Sequence, residues 1–349
     1  MGRIDRIRRV AVGVAYGGGG VGLISMLAVG TIIGEARLAR RTIGSVTAPP
    51  PRCDGRYGAE YDGLPVTLAI LGDSSAAGYG VQLPRETTGA LLAAGLAERL
   101  RRPVTLCNVA VVGATSAGLD AQCEAAAELR PDLAIILVGA NDVTHRVPAT
   151  VAVRHLASAV RQLRAAGTRV VVGTCPDLGT IRPIAQPLRW LARRWSRELA
   201  AAQTVAVVAA GGRTVSLGNL LGPMFEADPV RMFSSDQFHP SAEGYARAAS
   251  VVLPTLLAAL GEDDRPSAGV GVSSLEDAAQ EAVRTAGTEV SPAKPGGRLL
   301  LRRHAWFGEP RNWFGHKAEA LQPAPGPTDG TEKLGPSEAG AVGWTQADH

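Results

Sequence analysis

Aromatic side chains are scarce: five Trp, five Tyr and five Phe in 349 residues. A core with so few rings has to be built from Ala, Val, Leu and Ile, which suits helices packed on a buried parallel sheet and argues against a tandem all-β array. Cysteine is nearly as rare. Cys53, Cys107, Cys123 and Cys175 are widely scattered, with no CxxC and no His pair at zinc spacing. This excludes a disulfide-framed mini-domain and leaves no motif for a metal, and no cofactor is expected either. Charge of one sign is also missing. The 36 basic and 32 acidic residues nearly cancel to +4, and no Lys/Arg stripe interleaved with aromatics runs through the middle of the chain, so nucleic acid is excluded as a partner.

What is present is 46% hydrophobic and 19% charged residues, too apolar for a disordered chain. Glycine and proline concentrate outside the middle, so the middle is the folded part. Residues 1–9 form a basic N-terminus. From Val10 to Gly34 no charged residue occurs. These 25 residues would extend roughly 37 Å as a helix at about 1.5 Å per residue, enough to cross a bilayer. The reading is a transmembrane or signal-anchor helix over 10–34, with a cleaved signal peptide and a soluble buried helix as the competing accounts. Arginines flank both ends and favour a cytoplasmic N-terminus only slightly, which would put the folded part on the extracytoplasmic side. Residues 35–61, containing Pro49, Pro50 and Pro51, read as a stiff linker.

From 62 to 261 apolar strand-like runs alternate with helical spacing. Strands are expected at Val66–Leu71, Val104–Asn108, Leu133–Val138, Arg169–Gly173 and Val205–Val208. Helices are expected at Thr87–Leu100, Leu119–Leu129, Val151–Ala166, Leu188–Ala202 and Ala242–Leu260, the last capped by Ser241. Strands separated by helices imply right-handed crossovers. The expected fold class is therefore α/β, a three-layer α/β/α domain with a parallel, flavodoxin-like sheet. Ligands bind such sheets beyond the carboxyl ends of the strands.

Reactive residue types stand at those ends. After the first strand comes Gly72-Asp73-Ser74, where glycine permits a tight turn and Ser74 opens the next helical segment; Asp73 and Ser74 could equally be simple helix caps. After the second strand, Gly113 could bring a bare backbone N–H to a ligand, or serve only as a turn. After the third, Asn141 carries a neutral amide donor, while Asp142 reads as a cap or turn acceptor. Asp236-Gln237-Phe238-His239 precedes the last helix, with a carboxylate three residues before an imidazole that could take a proton from a serine hydroxyl. His145 reads as a solvated loop residue and His155 as a helix residue. Cys107 and Cys123 flank the Gly113 loop and could pair if the domain is exported.

Taken together, Gly72-Asp73-Ser74, Gly113, Gly139-Ala140-Asn141-Asp142 and Asp236-Gln237-Phe238-His239, in this order over about Pro65 to Leu260, resemble the GDSL or SGNH hydrolase family. The resemblance implies Ser74 as nucleophile, His239 as general acid and base, and Asp236 as its orienter. It implies an oxyanion hole formed by the Ser74 and Gly113 N–H groups and the Asn141 amide. Ser75 stands where leucine is usual. The implied activity is hydrolysis of a carboxylic ester, lipid or acylated envelope glycan, with acyl transfer to an alcohol and a non-enzymatic envelope-binding protein as alternatives.

Beyond 261 the alternation stops. Residues 262–349 read as largely disordered, apart from a short helix near Leu275 to Thr285. Trp306-Phe307-Gly308 and Trp313-Phe314-Gly315 recur there among arginines, a pattern suited to docking on a membrane interface or a partner surface, with packing back on the folded domain as the alternative.

Overall fold

The computed structural model describes residues 48–261, positions 30, 31, 34, 35 and 38 ahead of them, and the backbone of three strands in the tail. Most of the expected membrane span lies outside the described residues; among those described, no helix is long and apolar enough to cross a membrane. The expected helix at 275–285 and the two Trp-Phe-Gly segments also lie outside them.

Among the described residues, nine strands form one sheet: β1 (Gly55–Tyr57), β2 (Val66–Gly72), β3 (Val104–Asn108), β4 (Leu133–Leu137), β5 (Arg169–Gly173), β6 (Arg213–Val215), β7 (Gly269–Val272), β8 (Thr288–Ser291) and β9 (Leu299–Arg303), in the order β1-β3-β2-β4-β5-β6-β8-β9-β7. The helices are α1 (Ser74–Ala77), α2 (Thr88–Leu100), α3 (Leu119–Ala127), α4 (Ala140–Thr144), α5 (Ala149–Ala165), α6 (Leu188–Ala209), α7 (Leu217–Ala227), α8 (Pro229–Met232) and α9 (Ala242–Leu260). The run β3-β2-β4-β5-β6 is parallel throughout. Its neighbours are not, which corrects the expectation of an all-parallel sheet. β1 pairs antiparallel with β3, and β8 pairs antiparallel with β6.

Alternation along β2 explains the layers. Leu68 and Ile70 enter one buried cluster with Leu92 and Leu96 of α2 and Leu253 and Leu256 of α9. Ala69 and Leu71 point to the other face and join Leu119 and Cys123 of α3 and Leu156 and Val160 of α5. A strand covered on both faces needs apolar residues at both parities, which is why these strands read as continuous apolar runs.

One expected strand fails for an identifiable reason. Val205–Val208 belongs to α6, not to a strand. Its β-branched residues continue a stripe in which Leu199, Gln203 and Val207 are buried at four-residue spacing, and packing overrides local preference. The strand comes later, at β6, after Gly211 with its φ of 85° ends the helix turn. Within the tail, the described strands β7, β8 and β9 add to the sheet, and β8 covers the edge that β6 would otherwise expose. Of the two states open to Cys107 and Cys123, the structure has free thiols, as it has at Cys53 and Cys175.

Candidate active site

The parallel strand order reverses around β2, whose neighbours are β3 on one side and β4 on the other. In doubly wound sheets the crevice for ligands opens at such a reversal, beyond the strand ends. Gly72 ends β2 there with a φ of 137°, and a Cβ on it would lie 1.9 Å from the Leu137 carbonyl oxygen of β4. Only glycine lets the chain pass so close to its neighbour. Asp73 N–H then bonds Leu137 O at 3.0 Å, and α1 begins at Ser74.

The expectation that Asp73 caps a helix holds alongside the chemical reading of Ser74. The Asp73 carboxylate accepts the Ser75 N–H at 3.0 Å and is also bonded by the Gly139 N–H, which ties the turn after β2 to the turn after β4. Asp73 is fully buried, and desolvation lifts its pKa to about 6 in spite of those two donors. Its folded pKa therefore exceeds the ordinary carboxylate value of 3.8. The corresponding stability is present below that value and is lost as pH rises through about 6. Asp73→Asn keeps an oxygen for the cap but no charge. It is expected to raise the unfolding free energy at pH 8 by roughly 2–3 kcal/mol and to leave it unchanged near pH 3.5, measured by urea denaturation at both values. Equal effects at the two pH values would contradict this assignment.

His239 closes the relay from the other end of the chain. Its Nε2 lies 2.9 Å from Ser74 Oγ and its Nδ1 2.5 Å from Asp236 Oδ2. The loop is organised by the same carboxylate. Asp236 Oδ1 accepts the Ser234 hydroxyl at 2.7 Å and the Phe238 and His239 N–H groups at 2.9 Å each. Burial by itself would raise the Asp236 pKa, but the His239, Ser234 and backbone hydrogen bonds outweigh it and hold the carboxyl below its usual range. An ionised Asp236 facing Nδ1 makes that nitrogen the N–H donor and leaves Nε2 as the acceptor for the serine proton. The rings of Tyr79 and Phe238 meet the imidazole edge-on at 4.6 and 5.0 Å and confine it.

The remaining expected residues lie in and beside the loops after β3 and β4. Gly113, with a φ of 83°, lies in the loop after β3, and the space where its Cβ would project is open. Asn141 stands in the first turn of α4 and donates from Nδ2 to the Ala114 carbonyl at 3.0 Å, joining the loops after β3 and β4. Asp142 is buried and accepts from both the N–H and the hydroxyl of Ser116, so it braces these two loops. His145 is exposed and bonds the Asn141 carbonyl at 2.8 Å, while His155 pairs with Asp120 at 3.8 Å on the helical surface.

Two buried glutamines were missed. Gln122 bonds both the N–H (2.7 Å) and the carbonyl (2.9 Å) of Gly72, which clamps the residue two places before Ser74. Gln203 accepts from Cys175 N–H at 2.7 Å and donates to Val138 O at 3.0 Å, joining the ends of β4 and β5. The available signal was position: each is a polar residue on the buried stripe of its helix, where an unpaired amide would be costly.

A nucleophile-type serine, an imidazole and a carboxylate meet at the switch point of a mostly parallel sheet, and sheet and site together define an α/β hydrolase of the SGNH-like type. The chain belongs to the GDSL-like Lipase/Acylhydrolase family, whose sequence model matches residues 70–247. It is a carboxylic ester hydrolase. Its similarity to the GDSL-like esterase Rv1075c of Mycobacterium tuberculosis is 46% identity over 244 residues, spanning 66% of this chain and 77% of that protein. The crystal structure of TesA superposes with a TM-score of 0.46 at 27% identity, over 55% of this chain and 99% of that one. A lipase/acylhydrolase from Enterococcus faecalis gives a TM-score of 0.44 at 19% identity, over 55% and 97% of the two chains.

Proposed function

We propose that the protein is a serine esterase that works through an acyl-enzyme at Ser74. The observation that carries this reading is the continuous hydrogen-bonded line from Ser74 Oγ through His239 to Asp236, at 2.9 and 2.5 Å. Ser74 Oγ attacks the ester carbonyl carbon as its proton passes to His239 Nε2. The oxyanion of the tetrahedral adduct takes hydrogen bonds from the Ser74 and Gly113 N–H groups and the Asn141 amide. Collapse breaks the bond to the alkoxy oxygen, which leaves as the alcohol with the proton from His239. A water molecule, deprotonated by His239, then attacks the acyl-serine, and the acid departs as Ser74 recovers its proton.

The substrate class we favour is an ester with an apolar acyl part, a lipid or an acylated envelope glycan. Val111 and Val112, on the loop that leads from β3 to Gly113, are 54% and 45% exposed, and they offer an apolar lip next to the relay. The uncharged run at 10–34 fits an enzyme tethered to a membrane with its catalytic domain on the extracytoplasmic side.

A serine-directed fluorophosphonate tests the nucleophile. Stoichiometric labelling of the wild type and none of Ser74→Ala is expected; equal labelling of both would place the nucleophile elsewhere. Asn141→Ala removes one oxyanion donor and is expected to lower kcat about 100- to 1000-fold on a short-chain p-nitrophenyl ester, with KM changed far less. Unchanged turnover would remove Asn141 from the mechanism.

A further inference from the structure

Away from the relay, the chain leaves β5, passes Asp177 and a turn of 3-10 helix at Leu178–Thr180, and enters α6 at Leu188. Between that turn, the first turns of α6 and the end of α7 lies a cavity of about 140 Å³. Its lining includes Arg182, Arg189, Arg193 and Glu226, with Trp190 as an apolar wall. With Asp177, which pairs with Arg193 from beneath, the three guanidinium groups meet two carboxylates and leave an excess of one positive charge in a small concave space.

Two of these arginines are held in place. Arg193 bonds Asp177 Oδ1 through Nε at 3.3 Å and Glu226 Oε2 through Nη2 at 3.2 Å, and Arg182 donates to the Glu226 carbonyl at 2.9 Å. Asp177 is itself buried and fastened by Gly179 N–H at 2.8 Å and Arg197 at 3.1 Å, so Arg193 is fixed from beneath. A Cβ at Gly179 would fall 2.3 Å from Arg193 Nε, so the turn is shaped around that guanidinium. Arg189 is half-buried in the lining and makes no ion pair among the described residues. The corner already attracts an anion. Leu188 N–H, at the start of α6, donates to the Glu35 carboxylate at 2.9 Å.

We propose that this cavity binds the phosphate of a phosphomonoester or phosphodiester group, with Arg189 as the principal ligand and Arg182 and Arg193 beside it. A carboxylate is satisfied by one planar guanidinium fork, whereas several forks converging from different directions, with one positive charge left uncompensated, match a tetrahedral oxyanion with oxygens facing several directions. Two sources share this chemistry. One is a lipid headgroup, which suits the 55% exposed Trp190 and the proximity of Glu35, the residue immediately after the uncharged run at 10–34. The other is a soluble phosphate ester. The site is separate from the relay and does not depend on the esterase reading.

The test uses the full chain in neutral detergent micelles, in a Ser74→Ala background that prevents turnover of lipid. Isothermal titration with inorganic phosphate forms one arm. The other compares micelles doped with phosphatidylglycerol or with phosphatidylcholine, read by tryptophan fluorescence, with Trp190→Phe locating the signal. Saturable binding is expected in at least one arm, weakened about tenfold or more by Arg189→Gln and further by Arg182→Gln with Arg189→Gln. Response to phosphate and phosphatidylglycerol alike identifies free phosphate as sufficient. Response to phosphatidylglycerol alone identifies the lipid headgroup. No saturable binding in either arm, or equal binding by the double variant, overturns the proposal. Fluorophosphonate labelling of Arg189→Gln with Ser74 intact is expected to match wild type, which separates this result from any failure of the catalytic reading.

Discussion

Ser74→Ala is expected to reduce kcat for ester hydrolysis by a factor on the order of a million while leaving the fold intact. The reason lies in how little else the hydroxyl does. Its one hydrogen bond among the described residues is to His239, and α1 is held by backbone bonds and by the Asp73 cap, none of which involves Oγ. Circular dichroism and the urea midpoint should therefore stay close to wild type, so that lost turnover reports chemistry rather than unfolding. Residual rate above the water reaction is expected from oxyanion binding alone. A variant that kept a tenth of the activity would show that Ser74 is not the attacking group.

Asp236→Asn is expected to cost about 10⁴-fold in kcat, with substrate binding largely preserved. The effect follows from the two oxygens having separate duties. Oδ1 holds the loop through Ser234, Phe238 and His239, and an asparagine oxygen can keep those three bonds. Oδ2 faces His239 Nδ1, and an amide NH₂ there would turn that nitrogen into an acceptor. The proton would then sit on Nε2 and point at Ser74, where no serine proton could be taken. A second readout checks the electrostatics. Because the folded carboxyl titrates below its ordinary value, its stabilisation is complete above that ordinary value and disappears as pH falls through the folded pKa. The stability gap between wild type and Asp236→Asn should thus be widest near neutrality and close in acid. A gap independent of pH would mean that the ionised form carries no special interaction.

The same two residues show why the site was legible in part. Asp236 and His239 are three residues apart, so their contact is a local matter of one turn, and the spacing alone suggested it. Ser74 is separated from His239 by 165 residues. Only the rule that parallel sheets gather their loops at one edge made that meeting an expectation, and only the register of β2 against β4 made it a distance. Gln122 and Gln203 were not legible as clamps, because the partners of a buried amide are backbone groups on other strands and leave no motif. Val205–Val208 was misread because four residues of strand-like composition cannot show which face of a longer helix they extend.

Periodicity and turn chemistry by themselves determined the alternation of helices and strands, the two-sided burial of the central strands, and the places where reactive side chains follow strand ends. These properties depend on neighbours within a few residues. The antiparallel strands at both ends of the sheet, the bracing of the loops by Asp73, Asp142 and the two glutamines, and the arginine-lined corner beside α6 were decided by tertiary structure. Each arises from hydrogen bonds or charges between segments distant in the chain, and those energies exist only once packing has brought the segments together.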